Sequence, residues 1–432
     1  MAAPFNLFEV FGIELEYMIV SASTLDVLPI TDHLLSKAAT EPGATAHRED
    51  GSPVATEVEL GPISWSNELA LHVVEMKMTQ PASALDGLDA KFQSSVQQAN
   101  ALLAPLGGRL MPSAMHPWMD PFGEMKLWPH GYSDVYAAFN RIFDCRGHGW
   151  ANLQSMHINL PFSGDAQFGR LHAAIRALLP IMPALSASSP IMDGRTSGLM
   201  DSRLEVYRNN ARKIPAAAGR VIPEPVYTEA DYRREILEKV YLGFAPHDPA
   251  GVLRHEWANS RGCIARFTRN AIEIRVLDVQ ECPAADLAIA QIITSVLGAI
   301  CSGRLGHLDM LRALTVDSLE KPLLATIREG ERAVISDAEY LDALDIAQQG
   351  DANVTAAEVW NRLIALCVPS SRQSPALRAW LETWRTQGTL ARRILTEIGG
   401  DDSRARLART FGRLASCLDR GQLFIPQPPA QP

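Results

Sequence analysis

The chain of 432 residues contains 47% apolar and 21% charged residues, which is typical of a globular protein and excludes a disordered or fibrous one. Its net charge of -9 argues against a general nucleic-acid binder. The N-terminal segment lacks a basic stretch followed by an apolar run, and no segment reaches about 18 consecutive apolar residues, so we expect neither export nor membrane insertion. Six scattered cysteines without a Cys-x-x-Cys pair favour reduced thiols and a cytoplasmic location.

Residues 8–20 alternate apolar and acidic side chains with a period of two, which predicts a β-strand. The apolar side chains share one face, so Glu14 and Glu16 lie together on the other. Neighbouring carboxylates repel each other, and a sheet tolerates such a pair when a cation, most often a divalent metal ion, lies between them. The alternative is the solvated face of an edge strand.

Further predicted strands, over residues 55–60, 72–78, 153–161 and 271–278, also carry polar residues on one face. These polar side chains are Glu57, Glu59, Glu75, Lys77, Ser155, His157, Asn159, Glu273 and Arg275. If the strands belong to one antiparallel sheet, a single face of that sheet is rich in carboxylates and flanked by arginines. Such a face suits several Mg²⁺ ions that hold the phosphates of a nucleotide.

Three other segments allow more than one interpretation. Residues 115–132 are rich in His, Pro, Trp and Gly, which suits either an ordered loop over a cleft or an aromatic plug of the core. The arginines of residues 193–212 could be solvated or could clamp a phosphate or carboxylate. Cys145 and His148 have the spacing of half a zinc site, but no second pair in the sequence matches it.

The chain changes character after Pro283, and the remainder is expected to be helical. Thr355 is a predicted N-cap, one long helix is predicted from Ser374 to about Gly399, and a last helix covers residues 403–418. We therefore expect three regions. They are a catalytic domain over residues 1–283, a helical C-terminal extension packed on it over residues 284–425, and a disordered tail over residues 426–432.

The standard phosphate-binding and nucleophile motifs, such as Gly-x-x-x-x-Gly-Lys and Gly-x-Ser-x-Gly, are absent from the sequence. Taken in order, the polar strands instead resemble the glutamate–cysteine ligase type 2 family of carboxylate–amine ligases. The resemblance spans roughly residues 8–295. Its motifs are Gly12-Ile13-Glu14-Leu15-Glu16, the Glu75 strand, Met115-His116-Pro117, Met156-His157-Ile158-Asn159, Leu185-Ser186-Ala187-Ser188-Ser189-Pro190 and Glu273-Ile274-Arg275.

This resemblance implies an α+β fold like that of glutamine synthetase, in which helices surround a bent antiparallel sheet, a half-barrel. It implies ATP and Mg²⁺ or Mn²⁺ as cofactors. The implied metal ligands are Glu14, Glu16, Glu59, Glu75 and Glu273. The implied nucleotide contacts are His157, Asn159, Arg266 and Arg275, of which His157, Arg266 and Arg275 are also the expected catalytic groups. Substrate contacts are expected from Arg203, Arg208 and His116.

We therefore expect an ATP-dependent ligase that joins a carboxylate to an amine through an acyl phosphate. Glutamate and cysteine are the default substrates, although the tryptophan-rich segments leave the amine open. The second class of function is a metal-dependent hydrolase or phosphotransferase that uses the same site. The expected partners are small-molecule substrates, not nucleic acid or a membrane, and the chain could form a homo-oligomer.

Overall fold

The computed structural model describes residues 4–49, 51–347 and 353–427, and within them helices and strands mix along the chain. The strands are β1 (Gly12–Ser21), β2 (Thr45–His47), β3 (Glu57–Leu60), β4 (Ile63–Asn67), β5 (Val73–Met78), β6 (Gly108–Met111), β7 (Ser155–Pro161), β8 (Ile191–Met192), β9 (Arg195–Thr196), β10 (Cys263–Arg266), β11 (Ala271–Asp278), β12 (Val334–Ile335) and β13 (Val354–Thr355).

The α-helices surround these strands and dominate the last third of the chain. They are α1 (Thr31–Ala38), α2 (Leu88–Leu103), α3 (Pro121–Glu124), α4 (Ser133–Phe143), α5 (His148–Ala151), α6 (Gly164–Leu178), α7 (Pro183–Ser186), α8 (Ser202–Asn210), α9 (Pro215–Ala218), α10 (Glu229–Tyr232), α11 (Glu238–Phe244), α12 (Pro283–Cys301), α13 (Leu308–Ala313), α14 (Val316–Glu329), α15 (Ala338–Ala343), α16 (Ala356–Cys367), α17 (Pro375–Gln387), α18 (Leu390–Ile398) and α19 (Arg404–Arg420). A π-helical turn, Arg233–Leu237, joins α10 to α11.

Nine of the described strands form one antiparallel sheet in the order β10, β11, β7, β1, β5, β4, β3, β2, with β6 also paired to β1. Strand β1 is central, because it pairs with β5, β6 and β7. The predicted alternation of β1 is confirmed: Ile13, Leu15, Tyr17 and Ile19 are fully buried in the core. The polar side chains of β1 therefore lie on the opposite face, beside those of strands that are distant in sequence.

Helix α12 is the buried centre of the helical part. It packs against α2, α6, α16 and α17, and the cluster of buried side chains that holds Ile13 and Leu15 also holds Ile289 and Ile293. Among the described residues, α12 is the one helix long and apolar enough to cross a membrane, and 78% of its apolar window is buried inside the protein. That burial is typical of the core helix of a globular protein.

Three expectations about local structure are corrected. Strand β4 was not predicted, and the two-stranded sheet of β12 and β13 lies in a region expected to be helical. The predicted helix from Ser374 to about Gly399 is two helices, because Gly388 adopts a positive φ of 79° and Thr389 then caps α18. The N-cap role of Thr355 is confirmed by a capping box on α16. Residues 428–432 of the expected disordered tail lie outside the described residues.

Candidate active site

The register of the sheet brings the predicted polar faces together. Glu14 pairs with His157 across β1 and β7, and Glu16 pairs with Glu75 across β1 and β5. Strand β11 lies on the far side of β7 and places Glu273 opposite Asn159. Because side chains alternate between the faces of a strand, these polar groups project from the same face of the sheet.

His157 is the centre of this cluster. Its Nδ1 donates to Glu14 Oε2 at 2.9 Å and lies 3.8 Å from Glu273 Oε1. Its Nε2 lies 2.9 Å from Ser155 Oγ and 3.8 Å from Glu16 Oε1. Ser155 donates to Glu16 Oε2 through its hydroxyl at 2.8 Å and its backbone N–H at 2.6 Å. The two ring nitrogens thus face two different sets of carboxylates.

The carboxylates control the charge of His157. Burial opposes the charged imidazolium, but the hydrogen bond to Glu14 and the charges of Glu16, Glu14 and Glu273 outweigh burial and raise the pKa of His157 to about 9. Burial raises the pKa of Glu16, and the neighbouring charge of Glu75 adds to that rise. Burial also acts against ionisation of Glu14, yet the hydrogen bond from His157 lowers the pKa of Glu14 overall.

Two groups of three side chains could hold a metal ion. They are Glu14, His157 and Glu273 on one side, and Glu16, Glu75 and His157 on the other; within each group the ligand atoms lie within 4.8 Å of one another. The carboxylate oxygens are suitable ligands for Mg²⁺ or Mn²⁺, and an imidazole nitrogen of His157 can join them when the ion displaces the proton that the carboxylates favour there. The residues present therefore fit the ions that the resemblance implies.

Two arginines flank the first of these groups. Arg275 Nε lies 3.0 Å from Glu273 Oε1, and Arg266 Nη1 donates to Glu273 Oε2 at 3.3 Å. Burial acts against ionisation of Glu273, but the charges of Arg275, His157 and Arg266 prevail and lower its pKa. Glu273 is consequently an ionised carboxylate that holds two guanidinium groups at the edge of the cluster.

Lys77 is a further cation of the site whose role the sequence did not assign. Its Nζ lies 3.3 Å from Glu75 Oε2 and 3.0 Å from Glu57 Oε2, and it donates to Ser66 Oγ at 3.1 Å. Ser66 in turn donates to Glu75 Oε2 at 2.8 Å. Glu75 is therefore oriented by β4 as well as by its own strand.

Three of the residues expected at the site lie elsewhere. Glu59 forms an ion pair with His47 at 2.9 Å on the outer strands of the sheet. Arg208 forms ion pairs with Glu205 at 3.2 Å and Glu320 at 3.8 Å. His116 is fully buried and its Nε2 lies 2.7 Å from the carbonyl of Leu25. None of the three is among the described residues that line the cavity defined below.

Arg203 lines the cavity, and a buried ion pair with Asp278 fixes its position. Its Nε donates to Asp278 Oδ1 at 2.5 Å, and both side chains are almost fully buried. Asp278 also accepts from the backbone of Ser188 at 2.8 Å and from the hydroxyl of Ser189 at 2.9 Å. The Ser-rich segment noticed in the sequence therefore fixes the ion pair that positions Arg203.

A cavity of about 620 Å³ opens beside the cluster. Its polar lining includes Glu16, Ser155, His157, Arg203, His255, Arg269 and Arg275. It is also lined by half-buried aromatic side chains, which we call the aromatic wall: Tyr136, Phe139, Trp150 and Trp257. The cavity thus joins a charged surface to an apolar one, which is a common composition for small-molecule sites.

The tryptophans of residues 115–132 do not form this wall. Trp128 is buried and donates to the carbonyl of Gly131 at 2.8 Å. Trp118 packs under Arg404, whose guanidinium carbon lies 3.5 Å from the ring centroid, and donates to Asp26 at 3.1 Å. Residues 115–132 were expected to form either a loop over a cleft or an aromatic plug of the core. Both tryptophans pack within the protein and so agree with the second interpretation.

Glu68 is a cavity residue that the sequence analysis did not single out. It follows the unpredicted strand β4, and its carboxylate has no hydrogen bond or ion pair within the part of the chain that the structure describes. Burial and the charges of Glu75 and Glu16 raise its pKa well above the usual range. The position of Glu68 just after a strand could have indicated a site residue, but only if β4 had first been recognised in the sequence.

The sequence already argues against a zinc site at Cys145 and His148, since no second pair matches their spacing. The Nε2 of His148 lies 2.9 Å from Asp193 Oδ1, and Cys145 is buried. Neither residue belongs to the groups of metal-binding geometry found among the described residues. All six cysteines are free, as expected for reduced thiols.

Comparison with known proteins agrees with this architecture. A protein of Archaeoglobus fulgidus named only as uncharacterized is 30% identical over 407 residues, which cover 94% of this chain and 98% of that protein. A protein of Bradyrhizobium sp. (strain BTAi1), named provisionally as glutamate–cysteine ligase 2, is 26% identical over 386 residues, covering 87% of this chain and 79% of that protein.

Solved structures share the fold at low sequence identity. The glutamate–cysteine ligase of Francisella tularensis in complex with AMP gives a TM-score of 0.56 at 12% identity, covering 95% of this chain and 89% of that chain. A bifunctional glutathione synthetase of Pasteurella multocida gives 0.50 at 14% identity, covering 95% and 52%. The family model described as "Glutamate-cysteine ligase family 2(GCS2)" matches residues 10–409, and the chain therefore belongs to this family.

Proposed function

We propose that the protein is an ATP-dependent carboxylate–amine ligase that forms an amide through an acyl phosphate. Glutamate and cysteine are the first substrates to test, because they are the pair in the name of the family. The observation that carries the proposal is the cluster centred on His157, in which two groups of metal-binding geometry share one imidazole and lie beside Arg266 and Arg275. That arrangement suits a triphosphate and its ions.

The nucleotide is assigned to the side of His157 that faces Glu14 and Glu273. Arg266 and Arg275 are the proposed phosphate contacts there, with Asn159, which donates to Glu14 Oε1 at 3.0 Å. The AMP complex of the Francisella tularensis ligase supports a nucleotide site in this fold. Mg²⁺ or Mn²⁺ bound by Glu14, Glu16, Glu75, Glu273 and His157 would neutralise phosphate charge.

The chemistry needs no side-chain nucleophile. A carboxylate oxygen of the substrate bonds to the γ-phosphorus and ADP leaves. The substrate ammonium loses one proton to water, and the free amine nitrogen then bonds to the acyl carbon. Phosphate leaves from that carbon, and the nitrogen loses a second proton to water or to the departing phosphate, which gives the amide. The chain contributes positioning and charge neutralisation, for which fixed groups such as Arg275 are suited. Because Asp278 fixes Arg203 at the cavity, Arg203 is the proposed contact for the substrate carboxylate, in place of Arg208 and His116.

Several broader expectations remain proposals. They concern the half-barrel shape of the sheet, the division of the chain near residue 284, a cytoplasmic location, and assembly as a homo-oligomer. The small-molecule nature of the substrates agrees with the family.

An ADP-release assay over pairs of carboxylic acids and amines tests the proposal, with mass detection of the amide. A ligase releases ADP only when both substrates are present. ADP release with neither substrate present would refute a ligase and favour the hydrolase class, and phosphorylation of an acceptor without amide formation would favour a phosphotransferase.

A further inference from the structure

The aromatic wall of the cavity is built from elements distant in sequence. Tyr136 and Phe139 come from α4, Trp150 from α5, and Trp257 from the short turn Glu256–Ala258. The ring of Phe139 lies 5.3 Å from that of Trp150 and 6.0 Å from that of Trp257. Contacts between these rings fix the shape of the aromatic wall.

These aromatic side chains still present surface to the cavity. The side chains of the wall and its neighbours Leu153 and Val252 are half-buried and line the open volume. Apolar surface in a concave site is covered favourably by an apolar ligand group, because that group leaves water as it binds. The cysteine side chain has only a methylene and a thiol, so its apolar area is small compared with the surface of four aromatic side chains.

An acidic group lies next to the wall. Glu68 lines the same cavity as Tyr136, and burial and the charges of Glu75 and Glu16 oppose its ionisation, so a bound cation would stabilise its charged form. Its carboxylate lacks a hydrogen-bond or ion-pair partner in the described ranges of the chain. An ammonium group would complement this carboxylate, and aromatic faces also attract ammonium groups.

The cavity touches the proposed nucleotide site at one side only. Glu16, His157 and the phosphate contact Arg275 line it, whereas Glu14, Asn159, Arg266 and Glu273 are not among its described lining residues. Because Arg266 and Asn159 lie outside the cavity, we assign the aromatic wall to the second substrate, and the KM for ATP of a wall variant tests this against the adenine ring.

We propose that the amine substrate is a primary amine with an aromatic or similarly large apolar group, bound with its ammonium at Glu68 and its apolar group on the aromatic wall. This inference rests on the proposed ligase function and specifies the amine that the ligase accepts. It changes the expected order of substrates, because a phenyl-bearing amine becomes a better acceptor than cysteine.

The test compares 2-phenylethylamine with cysteine in the ADP-release assay, with glutamate and saturating ATP. We expect kcat/KM for 2-phenylethylamine to exceed that for cysteine by about tenfold or more, the size of effect that apolar pockets give. An equal or higher kcat/KM for cysteine overturns the inference while leaving the ligase proposal intact.

Three variants locate the effect. Phe139→Ala should raise KM for 2-phenylethylamine by about tenfold and change KM for ATP by less than about twofold, and Phe139→Leu should restore most of the loss. Phe122→Ala is the matched control, because Phe122 is 70% exposed and is not a lining residue. A rise in KM for ATP alone in Phe139→Ala assigns the wall to adenine and overturns the inference.

Binding without turnover separates the two proposals. The tryptophan fluorescence of the protein, to which Trp150 and Trp257 contribute, should change at a lower concentration of 2-phenylethylamine than of cysteine. Phe139→Ala should weaken that change. Binding with no ADP release for any substrate pair supports the apolar subsite and refutes the ligase function. Neither binding nor ADP release refutes both.

Discussion

Replacing Arg275 by alanine should lower kcat by about 10³-fold or more, because an arginine that neutralises a transferring phosphoryl group contributes about 10³–10⁵ to the rate. A loss of 10³ corresponds to about 4 kcal/mol on the activation barrier, at roughly 1.4 kcal/mol for each factor of ten. The fold should survive, since Glu273 keeps Arg266 at 3.3 Å and His157 at 3.8 Å. The stability loss should thus stay below the roughly 3–5 kcal/mol that breaking a buried ion pair costs.

The assay is ADP release at saturating substrates, with thermal denaturation of the same preparations. Arg275→Lys keeps the charge and tests whether the planar guanidinium is needed. Arg234→Ala is the control, because Arg234 is exposed and its ion pair with Asp231 is on the surface. A kcat for Arg275→Ala within about tenfold of the unmodified protein would show that Arg275 does not act on the phosphoryl group.

Three further predictions concern other groups. Glu16→Gln should abolish measurable ADP release without lowering the melting temperature, because burial already raises the pKa of Glu16 and makes its charge costly; a clear fall in melting temperature contradicts this. Asp278→Asn should cost roughly 3–5 kcal/mol in urea unfolding by leaving Arg203 buried without its partner, and an unchanged midpoint refutes it. Burial lowers the pKa of His72 and of His116 from 6.5 to about 4. The unfolded chain therefore binds more protons between these values, and each histidine should cost stability as pH falls below 6.5, by about 2 kcal/mol at pH 5. His157, with its raised pKa, acts in the opposite direction, so the protein is compared with His72→Gln and His116→Gln, and an unchanged pH dependence in both variants excludes the effect.

The strand faces were predictable because they obey a period of two. In β1, β5, β7 and β11 one face is apolar and the other carries Glu14, Glu75, His157 or Glu273, so the sequence separates the core from the site. That these polar faces lie side by side was expected only if the strands belong to one sheet. The pairing of β1 with β7, which places Glu14 opposite His157, agrees with that expectation.

Strand β4 was missed although Ile63 and Trp65 alternate with Ser64 and Ser66, because the run is only five residues long and carries no charged residue to mark a polar face. Glu68 was missed with it. Arg203 and Arg208 were equivalent in an arginine-rich segment of the sequence, and only the fold decides that Arg203 pairs with Asp278 at the cavity and Arg208 with Glu205 and Glu320. Likewise, the aromatic wall combines segments that no local pattern connects.

The central position of β1 has a consequence for synthesis of the protein. β1 leaves the ribosome early, yet β11, which completes the His157 cluster, ends only at Asp278. At about 5–20 residues per second, roughly ten to fifty seconds separate the two strands. The set of carboxylates is incomplete throughout that interval, and the edge of β7 is unpaired in its later part, after Pro161 and before β11. Co-expressed chaperones that shield strand edges should therefore increase the yield of active protein, and this increase should be larger than the increase in soluble protein.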